Sequence, residues 1–85
     1  MKQWFTVHAN VEEQYQIKGA NRNHGTFTHS RDAFNAIETE IETLAAERGM
    51  PLPDWTCTVH PDKHRVYLVE VRGTGWTFEI AHYDT

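Results

Sequence analysis

Residues 31–48 read RDAFNAIETEIETLAAER. Phe34, Ile37, Ile41 and Leu44 recur at spacings of three, four and three, with Ala33 and Ala45 beside them. That is one apolar stripe on a helix running roughly from Arg31 to Arg48. Ser30 is expected to cap its start, since a hydroxyl can accept a first-turn N–H. Asp32 complements the positive end of the helix dipole. Gly49 suits the left-handed position after the last turn, and Pro51 and Pro53 prevent continuation. Glu38, Glu40, Glu42 and Glu47 fall on or beside the solvent side. Glu38 and Glu42 repel across one turn by a few tenths of a kcal/mol.

Strand-like segments flank this helix. Trp4-Phe5-Thr6-Val7-His8-Ala9 and Gln14-Tyr15-Gln16-Ile17-Lys18 alternate in character. A three-residue loop, Asn10-Val11-Glu12, would set Val7 opposite Tyr15 and Phe5 opposite Ile17. Asn21 to Gly25 reads as a turn or loop, and Thr26-Phe27-Thr28 as a short optional strand. Beyond the helix, Trp55–His60, His64–Arg72 and Trp76–Tyr83 form a three-stranded meander. A two-residue loop at Gly73-Thr74, with Gly73 at the first position of a type II′ turn, pairs Val71 with Trp76, Val69 with Phe78 and Tyr67 with Ile80. A loop at Pro61-Asp62-Lys63 brings Trp55, Cys57 and Val59 to the core face. It also sets His60 directly opposite His64.

The expected fold is therefore α+β. It has a single antiparallel sheet of four to five strands, in the order β-β-(β)-α-β-β-β, with one helix packed on one face. Residues 1–85 make one domain, of a length that buries roughly 60–65% of its unfolded surface. One helix covers one face, so the other face meets water or a partner.

Composition narrows the functional classes. The formal charge is −4 and the eight Lys and Arg are scattered, which disfavours nucleic-acid binding. A single Cys excludes an intramolecular disulfide. The N-terminal residues show no apolar signal region and no apolar run reaches membrane-spanning length, so no membrane partner is expected. A cytoplasmic location is the default reading.

Chemistry-bearing groups are few. His60 and His64, as cross-strand neighbours about 5 Å apart, are the candidate metal ligands, although a structural zinc site wants four converging groups. Cys57, placed in the core, reads as an inert small hydrophobe. Glu70 and Glu79 share the outer face without a recognisable pocket, Ser30 is absorbed by capping, and Gly73-Thr74-Gly75 lacks the lysine of a phosphate loop. No catalytic residue and no cofactor is expected, and the chain reads as a non-enzyme. Six histidines could raise the net charge in mild acid, but six unrelated surface groups explain them more simply.

The outer sheet face carries Trp4, Val66, Leu68 and Ala81 as an apolar island, covered only if residues 19–29 fold over it. Apolar patches with polar rims mark interaction sites. The leading expectation is a small non-catalytic protein-interaction module using the outer face or an edge strand, with a homodimer through the outer face as one form. A second is an inhibitor or adaptor of the kind phages and mobile elements encode, meeting a basic partner through Glu38, Glu42 and Glu47. A third is a metal- or ligand-binding protein centred on His60 and His64.

Overall fold

The computed structural model describes residues 2–21 and 24–85. Its elements are β1 (Gln3–Val11), β2 (Glu13–Ile17), α1 (Ser30–Glu47), β3 (Trp55–Val59), β4 (Val66–Val71) and β5 (Thr77–Asp84). The five strands form one antiparallel sheet in the order β2-β1-β5-β4-β3, with α1 on one face. The expected α+β fold is present.

The stripe expected on the helix packs as its spacing dictates. Ala33, Ile37, Ile41, Leu44 and Ala45 are buried, and Phe34 is half-buried at one side. They meet Phe5, Val7, Ala9 and Val11 of β1, Val69 and Val71 of β4, and Phe78 and Ile80 of β5. Each fully buried Ile or Phe stabilises by about 1.5–3 kcal/mol relative to exposure. The two helix ends differ from one another. Ser30 already lies inside the helix; His29 is the N-cap residue and makes no side-chain cap bond. The capping expectation for Ser30 is thus corrected by one position. At the other end Gly49, at φ 64, donates its N–H to Ala46 O, and Met50 donates to Ala45 O. This is the paired bonding of a Schellman end, which needs the left-handed backbone that glycine adopts without strain.

Two hairpin registers differ from expectation by two residues. In the first, Val7 lies opposite Ile17 and Ala9 opposite Tyr15, with Glu12 at φ 68 closing the turn. The faces are unchanged, because side chains alternate with period two. The shift leaves Phe5 free to pair with Phe27: each accepts the other's N–H, at 2.7 and 2.8 Å. The optional strand at residues 26–28 is therefore a single bridge that brings Phe27 into the core. Chain reversal here requires glycine at position 19, since a Cβ would stand 2.3 Å from Thr26 O.

In the second, Trp55 lies opposite Val71, Cys57 opposite Val69 and Val59 opposite Tyr67. His60 consequently faces Val66, donating its N–H to Val66 O at 2.8 Å. His64 is left in the connecting loop. The β4–β5 pairing is the expected one, with Val69 opposite Phe78 and Tyr67 opposite Ile80. Its turn is not the expected two-residue type. Thr74 donates its N–H to Val71 O, so Gly73, at φ 74, is the third residue of a turn over 71–74. That position of a type II turn requires positive φ.

Width decides which parts of the sheet the helix shelters. Five strands at ~4.8 Å spacing span about 19 Å between the outer axes, whereas a helix with its side chains is ~10–12 Å across. The helix is fastened to the β1–β2 hairpin: Tyr15 bonds Glu40, and Arg48 pairs with Glu12 at 2.9 Å. Phe34 reaches towards the start of β3, stacking on Trp55 with ring centroids 6.0 Å apart. The far end of β3 and β4 lies beyond this cover. Cys57, Val59 and Tyr67 do share the core face, as expected, yet all three are exposed.

Candidate interaction surface

The outer face carries the expected residues together. Trp4 pairs with Tyr83, Thr6 with Ala81, and Ala81 with Val66, while Leu68 lies beside Glu79. The Trp4 and Tyr83 rings stack at 5.8 Å. Trp4, Val66, Leu68 and Ala81 are each half-buried. A shallow groove of about 460 Å³ runs along this face, bordered among others by His8, Gln14, Gln16 and Glu79. Lys63 reaches Glu79 at 2.8 Å and supplies a charged rim. The described part of 19–29 meets the sheet edge-on through the Phe5–Phe27 bridge, continuing its plane.

The histidine pair does not form as expected, because the β3–β4 register separates the two. His60 Nδ1 accepts the N–H groups of Asp62 and Lys63 at 3.0 and 3.1 Å, which fixes it as a loop cap. Its proton then sits on Nε2, 3.7 Å from Glu79 Oε1. Among the described residues no three His, Cys, Asp or Glu side chains converge as a metal site would require.

Cys57 is exposed, which corrects its expected place in the core. Partial burial pushes its thiol up, away from the reactive thiolate. No cationic group is among the causes acting on it.

On the helix, Glu38, Glu42 and Glu47 are exposed as expected. Glu40 differs: it is half-buried and accepts the Tyr15 hydroxyl. Glu38 and Glu42 border a recess of about 180 Å³ lined also by Ile41, Leu52, Pro53 and Trp55.

Four large apolar side chains are exposed: Tyr83, at 45%, on the outer face, and Val59 at 70%, Leu52 at 63% and Tyr67 at 42% elsewhere. Of these, Val59 and Tyr67 were expected in the core. Val59, Leu52 and Tyr67 lie at or near β3, which ends the sheet. The backbone there has a definite polarity. Arg72 donates its N–H to Asp54 O, and His60 donates to Val66 O, so Asp54 and His60 turn their peptide groups towards β4. Alternation along an antiparallel strand then turns those of Trp55, Cys57 and Val59 to the open side. The stretch Trp55–Val59 carries no charged residue. Edge strands are ordinarily guarded by charge, proline or a bulge. The opposite edge is guarded in this way, with Glu13 on β2 and Lys18 next to it. The uncharged run was visible in the sequence; its edge position was not.

No protein-family model, curated protein or solved structure matches this chain. Among the described residues no helix is long and apolar enough to cross a membrane.

Proposed function

We propose that this chain is a non-catalytic protein-interaction module that takes an extended strand onto its open β3 edge. The observation that carries this reading is a coincidence at one place. Outward peptide groups at Trp55, Cys57 and Val59 stand beside the exposed side chains of Val59 and Tyr67. Strand addition uses both features: main-chain bonds supply affinity, and alternate side chains supply specificity. The outer face is the weaker surface, because Trp4, Val66, Leu68 and Ala81 are already half-buried, its exposed Tyr83 is stacked on Trp4, and a Lys63–Glu79 ion pair lies beside Leu68.

The test is an NMR titration with short extended peptides of alternating Thr and Val. Amide shifts centred on Trp55, Cys57 and Val59 are expected. Shifts centred on Trp4, Val66, Leu68 and Ala81, or none at millimolar peptide, overturn the reading.

The recess between Glu38 and Glu42 favours a second reading, an adaptor that meets a basic partner through its acidic helix face. A lysine-rich peptide should then bind at low salt and lose binding when Glu38, Glu42 and Glu47 are reversed to Lys. Unchanged binding removes this alternative.

A further inference from the structure

We infer that the strand taken up by β3 is β3 of a second copy, paired antiparallel about a twofold axis at Cys57; this rests on the β3 reading above. The sequence of the edge is nearly its own mirror. Inverting Trp55-Thr56-Cys57-Thr58-Val59 about its centre sets Trp55 against Val59 of the partner subunit and Thr56 against Thr58 of the partner subunit. Aromatic against β-branched and Thr against Thr are favourable cross-strand pairs. No charge on the strand meets a like charge, because the strand has none. One step further out, Asp54 meets His60 of the partner subunit, an acid facing a group that gains positive charge on protonation.

Backbone parity supports the same register. Trp55, Cys57 and Val59 all turn their peptide groups outward, and this inversion sets outward residue against outward residue. Each copy donates three N–H groups and accepts three, about six bonds in the complete ladder. Two prolines bound it. Pro53 and Pro61 each lie four residues from Cys57 (57 − 53 = 4; 61 − 57 = 4), just beyond the two ends of the strand. On an open edge a missing N–H costs nothing. In the register centred on Cys57 the prolines face one another outside the ladder. A slip of two residues either way sets a proline against Trp55 or Val59 and removes donors from it. The centred register is therefore the one in which every outward N–H between the prolines has an acceptor.

The result is a continuous ten-stranded sheet, from two copies of the five strands. An axis perpendicular to the sheet puts both helices on one side. The seam between them is lined by Cys57, Val59 and Tyr67 from each copy, which are the residues a single helix fails to shelter. Exposure of these side chains in one copy is thus matched by the surface the second copy brings.

Analytical ultracentrifugation across micromolar to millimolar concentration tests this on the intact chain. A concentration-dependent dimer is expected. Val59→Lys should weaken it about tenfold or more, with the thermal midpoint unchanged at dilutions where the wild type is monomeric. Cys57→Pro should do the same, because the N–H it removes faces away from β4. An isotope-filtered NOE between Trp55 of a labelled copy and Val59 of an unlabelled one should be present. A monomer at millimolar concentration, or a dimer that survives both substitutions, overturns the proposal. If the chain is monomeric while Thr/Val peptides still shift the Trp55, Cys57 and Val59 amides, self-pairing fails and strand docking stands. If neither occurs, both fail.

Discussion

The Tyr15 hydroxyl donates a 2.6 Å hydrogen bond to Glu40 Oε2, joining edge strand β2 to the middle of the helix. With Arg48 bound to Glu12, it holds the helix to the β1–β2 side of the sheet. What the helix gains in contact there, it leaves uncovered at β3.

Burial, then the bond to Glu40 and the Glu40 charge, push the Tyr15 hydroxyl well above its ordinary value of 10.0. A group whose value is raised by folding contributes stability that is fully present below its unfolded value and lost as pH rises through the folded one. Stability should therefore decline once the pH passes about 10. Tyr15→Phe should lower stability at neutral pH by about 1 kcal/mol and flatten that alkaline decline. Chemical denaturation at a series of pH values checks both; an equally steep decline in the variant would show that the bond is not its source.

Arg65 grips Asp84 through two nitrogens, at 3.0 and 2.8 Å. That hydrogen bonding holds the Asp84 carboxyl below its ordinary value of 3.8. A value lowered by folding contributes stability present above the unfolded value and lost as pH falls through the folded one, so this tie is complete above about pH 4 and fades as the pH falls further. Arg65→Ala should return the Asp84 carboxyl carbon shift to an ordinary titration, with little change in neutral-pH stability. An unmoved titration curve would assign the shift to another cause.

Gly19→Ala should destabilise by about 1–3 kcal/mol, because its Cβ would stand 2.3 Å from the Thr26 carbonyl oxygen and 2.9 Å from the Phe27 ring. The penalty differs in kind from that at Gly75, which has open space but φ 78. There Gly75→Asn should cost less than Gly75→Val, since Asn tolerates the left-handed region. At Gly19 the two substitutions should be similarly harmful. Thermal unfolding of the five variants separates crowding from backbone conformation.

Leu68→Glu separates the two sheet surfaces. It lies on the outer face, opposite Thr58 and Glu79. If β3 is the docking edge, this substitution should leave association and peptide binding within about twofold of wild type. Loss of association in Leu68→Glu with retention in Val59→Lys would move the interface to the outer face.

The stripe from Phe34 to Leu44 specified its helix because each apolar position recurs with the helical turn, and all but Phe34 became buried. Face assignment was equally legible: Val7, Ile17 and Phe78 alternate with polar neighbours, which fixes the side each takes, and the pairing of Val69 with Phe78 carries that assignment to the more apolar β4. Register was legible only modulo two. Val7 opposite Tyr15 and Val7 opposite Ile17 satisfy the same pattern, and the choice depended on Phe27 arriving to pair with Phe5. His60 and His64 were separated for a similar reason, when Trp55 moved opposite Val71 and His60 closed its own loop.

The sequence by itself determined the helix, the strands and the two faces, because those follow from local periodicity that every residue along a segment shares. Only the tertiary structure decided that β5 sits between β1 and β4, that β3 ends the sheet, and that the helix lies towards β2. Those depend on contacts between distant segments, such as Tyr15 with Glu40 and Phe5 with Phe27, for which no local pattern exists. The exposure of Cys57, Val59 and Tyr67 follows from that arrangement: their alternation says inward, but a helix ~10 Å wide held at one side of a five-stranded sheet does not reach them.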